Sequence, residues 1–421
     1  MQRAKDYWHN LGPGLTTGAA DDDPSGITTY SQTGAQYGFQ LLWLAPFTFP
    51  LMAIIQEMCA RIGLVTGSGL AANIRQHYPR WVLYTCTALL FLANTLNIGA
   101  DLGAMAKGVQ LIFPEFGFVS LVLFFALFSL SLQIFTSYES YAKYLKWLAL
   151  ILLSYIFATL AIKDLDWNQI FISTIVPSIT FSKDQIFLIT AVLGTTISPY
   201  LFFWQTSQEV EEEILAGKIT LKLRRGTNVE DVKNMRIDIW SGMFLSNLVM
   251  FFIIAACGAV LFSSGITSIA TAEDAARALK PIAGDQAYLL FALGIIGTGL
   301  LAVPILAGSA SYALSESFGW KFGLYRKLKE ANAFYGVIII ATMVGLSINL
   351  LGFDPIKALI YSALANGIIA PVILVLIVMI SSNKKIMGEW KNNLIFAILG
   401  WLITILMIMA GIATIFSLLN P

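Results

Sequence analysis

Charged residues are scarce in this sequence. They make up 12% of its 421 residues, whereas an ordinary soluble domain carries about 25%. A soluble chain of this length would form two or three domains, and so few charges could not cover their surfaces. Because 57% of the residues are hydrophobic and the mean hydropathy is +0.74, the sequence predicts an integral membrane protein that lies in the lipid bilayer.

An excess of positive charge is also missing. The 26 basic and 25 acidic residues leave a net charge of +1. Binding to the phosphate backbone requires a concentrated excess of lysine and arginine. Nucleic acid is therefore excluded as a partner.

Cysteine and histidine are rare and scattered. The three cysteines, Cys59, Cys86 and Cys257, lie singly in apolar runs, and the two histidines, His9 and His77, share no ligand-like spacing. This pattern excludes a disulfide framework and a Cys- or His-rich metal motif. We expect the cysteines to be small core residues.

Catalytic signatures are absent from the sequence as well. It contains no HExxH, GxSxG or Walker-type motif, so we expect neither enzymatic activity nor a bound cofactor. The N-terminal segment lacks an apolar run followed by a small-residue cleavage site, and we expect it to remain in the mature protein.

What the sequence does contain is a series of long apolar windows. A membrane-spanning helix needs about 20 mostly apolar residues, and eleven such windows are present. They are residues 11–33, 41–64, 81–108, 117–137, 147–163, 185–206, 239–263, 286–311, 333–351, 358–381 and 393–417.

The distribution of basic residues predicts the orientation of these spans. With a cytoplasmic N-terminus, six of the 26 basic residues fall outside and the other 20 inside, which is the asymmetry of the positive-inside rule. We therefore expect a multi-pass protein of the plasma membrane with an extracellular C-terminus. The six outside residues are Lys107, Lys163, Lys183, Arg277, Lys280 and Lys357.

The spans also indicate an internal duplication. We interpret residues 1–163 and 185–381 as two five-helix repeats of opposite orientation within one transmembrane domain, followed by an extra helix at 393–417. The polar stretch 208–238 is expected to be a solvated cytoplasmic linker.

Two of the spans are interrupted by polar residues and proline. In the first, three aspartates precede Pro24 and Gly26, and in the sixth, Pro199 follows a run of hydroxyl residues. Proline cannot donate a backbone hydrogen bond and glycine tolerates non-helical geometry, so both helices should open there. The carbonyl of Thr195 then loses its helical partner, because Pro199 lacks the amide that it would accept from.

The paired interruptions predict a binding site. An ionisable side chain at mid-membrane costs about 2.5–3.5 kcal/mol even on a lenient scale, and a bound cation would offset that cost. Interrupted helices at matching positions of two repeats are typical of a midplane ion or substrate site. We expect Asp23, together with Asp22 and the carbonyl of Thr195, to form it.

Several sequence runs resemble those of a known family. The runs GPGLTTGAADDDPSG, QEMCARIGLVTGSGLA, ADLGAMA and ALANGIIAP are similar to signatures of the Nramp divalent-metal transporters. The resemblance extends over essentially the whole chain. It implies an all-α, LeuT-type fold with a 5+5 inverted repeat, one extra helix, and breaks in helices 1 and 6 of eleven.

The two motifs at the breaks depart from the family pattern. Asp-Pro-Gly-Asn in the first helix is replaced by a run from Asp23 to Gly26, and Met-Pro-His in the sixth by a run from Ser198 to Tyr200. The resemblance implies that Asp23 and the Thr195 carbonyl bind the ion. Ser198 replaces a soft thioether and Gly26 replaces a larger amide, so we expect a wider, oxygen-lined site without sulfur.

Such a site suits a hard, hydrated cation. Mg²⁺ keeps several waters and binds through one or two carboxylates, and Mn²⁺ also accepts oxygen ligands. The same features resemble those of the Nramp-related magnesium transporters more than those of a manganese or iron importer. This resemblance implies chiefly Mg²⁺ and also Mn²⁺ as substrates.

Proton-carrying residues of the family pattern are largely missing. Tyr200 stands in place of a histidine, and tyrosine ordinarily ionises only near pH 10. Ala104 falls where a glutamate is expected, and the ninth span lacks an arginine, so Asp101 alone remains. We therefore predict passive uptake that is not coupled to protons.

Other polar residues in the spans are less informative. Asn366 in the tenth span either lines the ion pathway with Asp101 or bonds to a neighbouring helix. Asn94 and Asn97 in the third span are interpreted as packing residues.

Two alternatives within transport remain. The first is a proton-coupled Mn²⁺ or Fe²⁺ importer that tolerates Ser198. The second is an organic-solute symporter of the same fold, although its carboxylate substrate would be repelled by three adjacent aspartates. The protein is expected to act as a monomer.

Overall fold

The computed structural model describes residues 12–136, 153–162, 165–180, 182–280 and 284–419, and within these ranges the regular structure is helical, with no strand. In chain order the helices are α1 (Pro13–Asp21), α2 (Pro24–Tyr37), α3 (Leu44–Thr66), α4 (Leu70–His77), α5 (Arg80–Ile112), α6 (Phe118–Phe135), α7 (Ser154–Ala161), α8 (Trp167–Ile175), α9 (Lys183–Thr196), α10 (Pro199–Leu215), α11 (Leu221–Arg224), α12 (Val229–Val260), α13 (Ala272–Ala276), α14 (Ala287–Phe318), α15 (Asn332–Leu350), α16 (Pro355–Ser382), α17 (Lys384–Met387) and α18 (Leu394–Leu419). Short 3₁₀ turns occupy Phe262–Ser264, Arg277–Leu279, Gly284–Gln286 and Gly388–Trp390.

Nine helical stretches in the described part of the chain are long and apolar enough to cross a membrane. They contain α3, α5, α6, α9 with α10, α12, α14, α15, α16 and α18, and they coincide with nine of the predicted windows. The first window appears as α1 and α2, which are each too short to count. The fifth window, 147–163, lies mostly outside the described residues, and only α7 is seen of it.

Both predicted breaks are confirmed. α1 ends at Asp21 and α2 begins with Pro24, while α9 ends at Thr196 and α10 begins with Pro199. In each case the proline occupies the first position of the new helix, where its missing amide costs that helix no hydrogen bond. The local sequence therefore ends one helix and starts the next within two or three residues.

Small residues bring the broken helices against their neighbours. Gly18 in α1 lies on Gly242 in α12, and Gly194 in α9 lies on Gly367 in α16, so closely that a Cβ on either glycine pair would collide with backbone. Glycine at such crossings lets helix backbones approach one another in a membrane. This packing fixes both breaks in the middle of the bundle, with α18 at its periphery against α16 and α9.

The expectation of a solvated linker at 208–238 is wrong for its two ends, whereas residues 216–231 are exposed or partly exposed. α10 continues to Leu215, and Glu209, Glu211 and Glu213 on it are buried. Glu211 accepts hydrogen bonds from the hydroxyl of Tyr312 (2.6 Å) and from backbone amides of the loop after α14. Glu211 therefore joins α10 to α14 and to the loop after it, an arrangement that a charge count along the chain does not predict.

The stretch 208–238 also ends at a buried aspartate. Asp238 in α12 accepts hydrogen bonds from the amides of Gly12, Gly14 and Leu15, at 2.9, 2.6 and 3.1 Å. These amides lie at the N-terminus of α1, where backbone donors have no partner within the helix. Asp238 therefore caps α1 from another helix. The division of the domain into residues 1–163, 185–381 and 393–417 stays a prediction.

Candidate ion-binding site at the two helix breaks

Asp23 lies at the first break and is held by three hydrogen bonds. It is 1% exposed and is the N-cap of α2. Its Oδ1 accepts from the Ser25 hydroxyl at 2.6 Å and from the Gly26 amide at 2.7 Å, while its Oδ2 accepts from the side-chain amide of Asn97 at 2.8 Å. Donors of this kind stabilise a carboxylate in a buried setting. The helix break thus fixes the orientation of the carboxylate.

Asn97 joins this carboxylate to a second one. Its Nδ2 also donates to Oδ2 of Asp101 at 3.1 Å, one turn further along α5. Asn97 and Asp101 are fully buried, and for the Oδ1 atom of each the described part of the chain provides no hydrogen-bond partner. One neutral amide therefore bridges two buried acidic side chains, with acceptor oxygens left over for a cation or a proton.

The second break carries Thr195 and Ser198, both 1% exposed. The Ser198 hydroxyl lies 2.7 Å from the carbonyl oxygens of Gly194 and Thr195 and donates to them. The Thr195 carbonyl, which Pro199 deprives of its helical partner, is thus bonded to a side chain in this conformation. A carbonyl oxygen has two lone pairs, so it keeps the capacity to contact an ion.

Tyr200 connects the second break to the first. Its hydroxyl donates to the carbonyl oxygen of Ala20 at 2.8 Å, and its own carbonyl accepts from the Ser309 hydroxyl at 2.8 Å. Ala20 is four residues before Pro24, so its carbonyl is the acceptor that this proline leaves without a donor. The side chain of Tyr200, which its place in the second motif makes a candidate residue of the ion site, therefore binds protein backbone.

Gly26 is the point at which the two breaks approach each other. A Cβ added there would lie 3.0 Å from the carbonyl oxygen of Asp21 and 3.3 Å from Oγ1 of Thr195. The Thr195 hydroxyl in turn lies 3.4 Å from the Ser25 hydroxyl. The expectation that Gly26 widens the cavity is therefore wrong for this conformation, because its missing side chain lets backbone and Thr195 pack closely instead.

The three consecutive aspartates do not converge. Asp21 and Asp22 turn towards α12, where the Ser246 hydroxyl lies 2.7 Å from Asp21 Oδ2 and 3.4 Å from Asp22 Oδ1, whereas Asp23 turns towards α5. Within the described ranges, no group of three or more His, Cys, Asp or Glu side chains is arranged to hold a metal ion. An ion at the breaks would therefore have to use Asp23 together with hydroxyl, carbonyl or water oxygens.

Asn366 is buried in α16, next to the contact between Gly367 and Gly194. Gly194 directly precedes Thr195, so the helix contact brings Asn366 near the second break in space. Neither amide atom has a hydrogen-bond partner among the residues described. An unsatisfied buried amide is costly, which favours a polar ligand or water at this position.

Two residues of the site were missed by reasoning from sequence. Asn97 was assigned to packing, although its spacing from Asp101 places both on one face of a helix. Ser25, although it lies in the interrupted motif, was not named as a site residue. The i, i+4 spacing is a signal that could have found Asn97, but its contact with Asp23 depends on where α5 crosses the break.

One sulfur atom does reach the second break. Met250 Sδ in α12 lies 3.9 Å from Oγ1 of Thr196, and the Thr196 hydroxyl also bonds to Tyr30. The partners of Asp23, Ser25, Thr195 and Ser198 given above are all oxygen or nitrogen atoms. The donor set around Asp23 is thus chemically hard, and it fits a cation that prefers oxygen ligands.

Two broken helices that meet around a buried carboxylate, within a bundle of membrane-spanning helices, define a multi-pass membrane protein with the architecture of secondary transporters. Residues 14–417 match the model of the family described as Natural resistance-associated macrophage protein-like, or Nramp. The chain belongs to the Nramp family.

Individual relatives agree with this assignment. The divalent metal cation transporter MntH of Klebsiella pneumoniae (strain 342) is 26% identical over 410 residues, covering 94% of this chain and 91% of MntH. The Eremococcus coleocola manganese transporter, in complex with an aromatic bis-isothiourea substituted compound, is similar in structure, with a TM-score of 0.74 and 18% identity over 98% of this chain and 87% of that chain.

A more distant likeness is to Mhp1, a nucleobase-cation-symport-1 family transporter, in a closed conformation. The TM-score is 0.57 and the identity 12%, over 97% of this chain and 91% of that chain. At these identities the structural likenesses show the fold alone. The predicted all-α, LeuT-type fold is confirmed.

Proposed function

We propose that this protein transports divalent metal ions across the plasma membrane by alternating access, chiefly Mg²⁺ and also Mn²⁺, without obligatory proton movement. The observation that carries the proposal is the position of Asp23. Its carboxylate is fixed at the first helix break by a hydroxyl, a backbone amide and a side-chain amide. The names of the relatives support divalent metal ions as the class of substrate.

The chemistry of the second break supports a hard ion. Ser198, where the family pattern has methionine, offers oxygen and donates to the Thr195 carbonyl. Soft sulfur ligands favour transition metals, whereas Mg²⁺ binds oxygen and keeps much of its water. We infer that Asp23 and the Thr195 carbonyl contact the ion or its waters, with Gly26, Ser198 and Tyr200 around them. Asp22, which faces Ser246, would attract the ion through its negative charge.

The bonding of Tyr200 supports uncoupled transport. Its hydroxyl is committed to the Ala20 carbonyl, so this side chain serves to join the breaks and does not carry protons. Passive entry is sufficient for a dication. A potential of about 100 mV supplies about 4.6 kcal/mol for two charges, which sustains a concentration ratio of roughly three orders of magnitude.

Proton-coupled import of Mn²⁺ is the second candidate. It is favoured by the bridge from Asp23 through Asn97 to Asp101, because a buried acidic side chain with a free oxygen can hold a proton. Met250 near the second break adds a soft atom. In this mechanism Asp101 and Asn366 would line the pathway of the proton or the metal ion.

Proteoliposomes that contain a metal indicator and a pH dye distinguish the two mechanisms. We expect Mg²⁺ and Mn²⁺ to enter without a proton signal, and acidification during uptake would instead establish the second candidate. Asp23→Ala should abolish entry of both ions. Asp166→Ala, at an exposed carboxylate that caps α8, is the matched control and should transport normally. Transport that survives in Asp23→Ala would refute the site.

The remaining features are proposed from the sequence. We infer a cytoplasmic N-terminus and an extracellular C-terminus from the distribution of basic residues. We also infer that one chain forms a complete pathway, since both breaks belong to the same bundle. Accessibility of single introduced cysteines from either side of the membrane tests the orientation.

A further inference from the structure

The bonding of Asp23 limits how it can bind a metal ion. A carboxylate offers about four lone-pair positions, two on each oxygen. The Ser25 hydroxyl and the Gly26 amide fill both positions of Oδ1, and the Asn97 amide fills one of Oδ2. At most one position is left, and it lies on Oδ2.

An ion that binds Asp23 in this arrangement must therefore bind through one oxygen. This geometry suits Mg²⁺, which takes six ligands, keeps several waters and uses carboxylates sparingly. Ca²⁺ takes six to eight ligands and often binds both oxygens of a carboxylate. A carboxylate whose Oδ1 is saturated discriminates against the bidentate mode.

We propose that Ser25 is a specificity-determining residue, which fills Oδ1 of Asp23 and thereby disfavours Ca²⁺ relative to Mg²⁺. The inference rests on the proposed function, because it concerns the same carboxylate. Of the two donors on Oδ1, the Gly26 amide belongs to the backbone and is present whatever residue stands there. The Ser25 hydroxyl belongs to a side chain, so a substitution at position 25 can remove this donor.

The surroundings of Ser25 hold its hydroxyl in this role. The residue is 1% exposed in the first turn of α2, so water does not compete freely for its hydrogen bond. Thr195 Oγ1 lies 3.4 Å from Ser25 Oγ. With the Ser25 proton directed to Asp23, the Thr195 hydroxyl is the donor in that second contact. The chain of hydroxyls thus extends from the second break to the carboxylate.

The test compares Ca²⁺ and Mg²⁺ entry into proteoliposomes for four proteins. They are the unaltered chain, Ser25→Ala, Ser25→Thr and Ser129→Ala. Ser25→Ala removes the donor and frees one position on Oδ1, whereas Ser25→Thr keeps a hydroxyl. Ser129 is a fully buried serine in α6, so Ser129→Ala controls for loss of a buried hydroxyl elsewhere.

We expect Ser25→Ala to raise the ratio of Ca²⁺ to Mg²⁺ entry about tenfold. In the unaltered chain, Ca²⁺ that binds both oxygens of Asp23 must displace the hydrogen bond from Ser25 to this charged group. In the variant that hydrogen bond is absent. Ser25→Thr and Ser129→Ala should keep the ratio of the unaltered chain. A general loss of stability would lower both rates and leave the ratio unchanged, so the ratio reports on the carboxylate itself.

An unchanged ratio in Ser25→Ala would overturn the inference and leave the proposed function standing, provided that Asp23→Ala is inactive. If Ser25→Ala does not transport, isothermal titration of the purified protein with Ca²⁺ and with Mg²⁺ decides the question. Tighter Ca²⁺ binding than in the unaltered chain supports the role of Ser25, and unchanged affinities for both ions contradict it. Failure of the proposed function would appear separately, as transport that survives in Asp23→Ala.

Discussion

The hydroxyl of Tyr200 donates a 2.8 Å hydrogen bond to the carbonyl oxygen of Ala20, and this bond joins the two helix breaks. Ala20 is the acceptor left without a helical donor by Pro24, just as Thr195 is left by Pro199. The Ser198 hydroxyl serves Thr195 in the same way. At each proline break, a hydroxyl from the segment around Pro199 thus donates to the carbonyl that has lost its helical donor.

Loss of the Tyr200 hydroxyl should destabilise the first break. We expect Tyr200→Phe to lower the free energy of unfolding by about 1–3 kcal/mol, because a buried carbonyl loses its donor. Thermal unfolding in detergent measures the effect. Tyr361 is an exposed tyrosine on α16, and Tyr361→Phe should unfold at the temperature of the unaltered protein. Equal unfolding temperatures for all three proteins would show that the bond contributes nothing.

Removal of the Asn97 amide should make the protein depend more on bound metal. Asn97→Leu leaves the carboxylates of Asp23 and Asp101 without their shared donor, so the metal-free protein should lose about 1–3 kcal/mol of stability. A cation at the break offsets that loss. The rise in melting temperature on addition of Mg²⁺ should therefore be larger than in the unaltered chain.

Asn94 provides the matched control for this variant. It lies one turn before Asn97 on α5, is equally buried, and donates to the carbonyl of Leu306 and not to a carboxylate. Asn94→Leu should lower stability while the shift caused by Mg²⁺ stays normal. Equal shifts in both variants would contradict a direct link between Asn97 and the ion.

A thioether at the second break should change ion preference. Ser198→Met replaces an oxygen by sulfur beside the Thr195 carbonyl, and softer ligands favour Mn²⁺ over Mg²⁺. We expect the ratio of Mn²⁺ to Mg²⁺ entry to rise in proteoliposomes. Ser347→Met, at an exposed serine of α15, should leave the ratio unchanged. A ratio that falls in Ser198→Met would argue against Ser198 as a neighbour of the ion.

Asp238 should control the mobility of α1. Its carboxylate accepts from three amides at the start of this helix, and such caps contribute about 0.5–2 kcal/mol. In Asp238→Asn we expect faster hydrogen exchange in peptides that contain residues 12–21. Glu230→Gln, at an exposed position in the first turn of α12, should exchange like the unaltered chain. Unchanged exchange in Asp238→Asn would mean that the cap is not needed to hold α1.

Much of the fold was accessible from sequence because the membrane imposes a strong length rule. Nine apolar windows reappear as long helices, and the breaks at Pro24 and Pro199 occur where the prolines predict them. Charge patterns were less reliable. Glu209, Glu211 and Glu213 were expected in water and are buried. Hydrogen bonds from a distant segment, which no local pattern predicts, satisfy Glu211.

The sequence alone determined that the chain crosses a membrane, where two of its helices open, and that Asp23 stands at one opening. Those features follow from hydropathy and from proline, which act over a few neighbouring residues. The tertiary structure alone decided which groups complete the site, because Asn97 and Tyr200 reach Asp23 and Ala20 across gaps of 74 and 180 residues. Contacts of that kind depend on how helices cross, and glycine pairs such as Gly194 and Gly367 set those crossings.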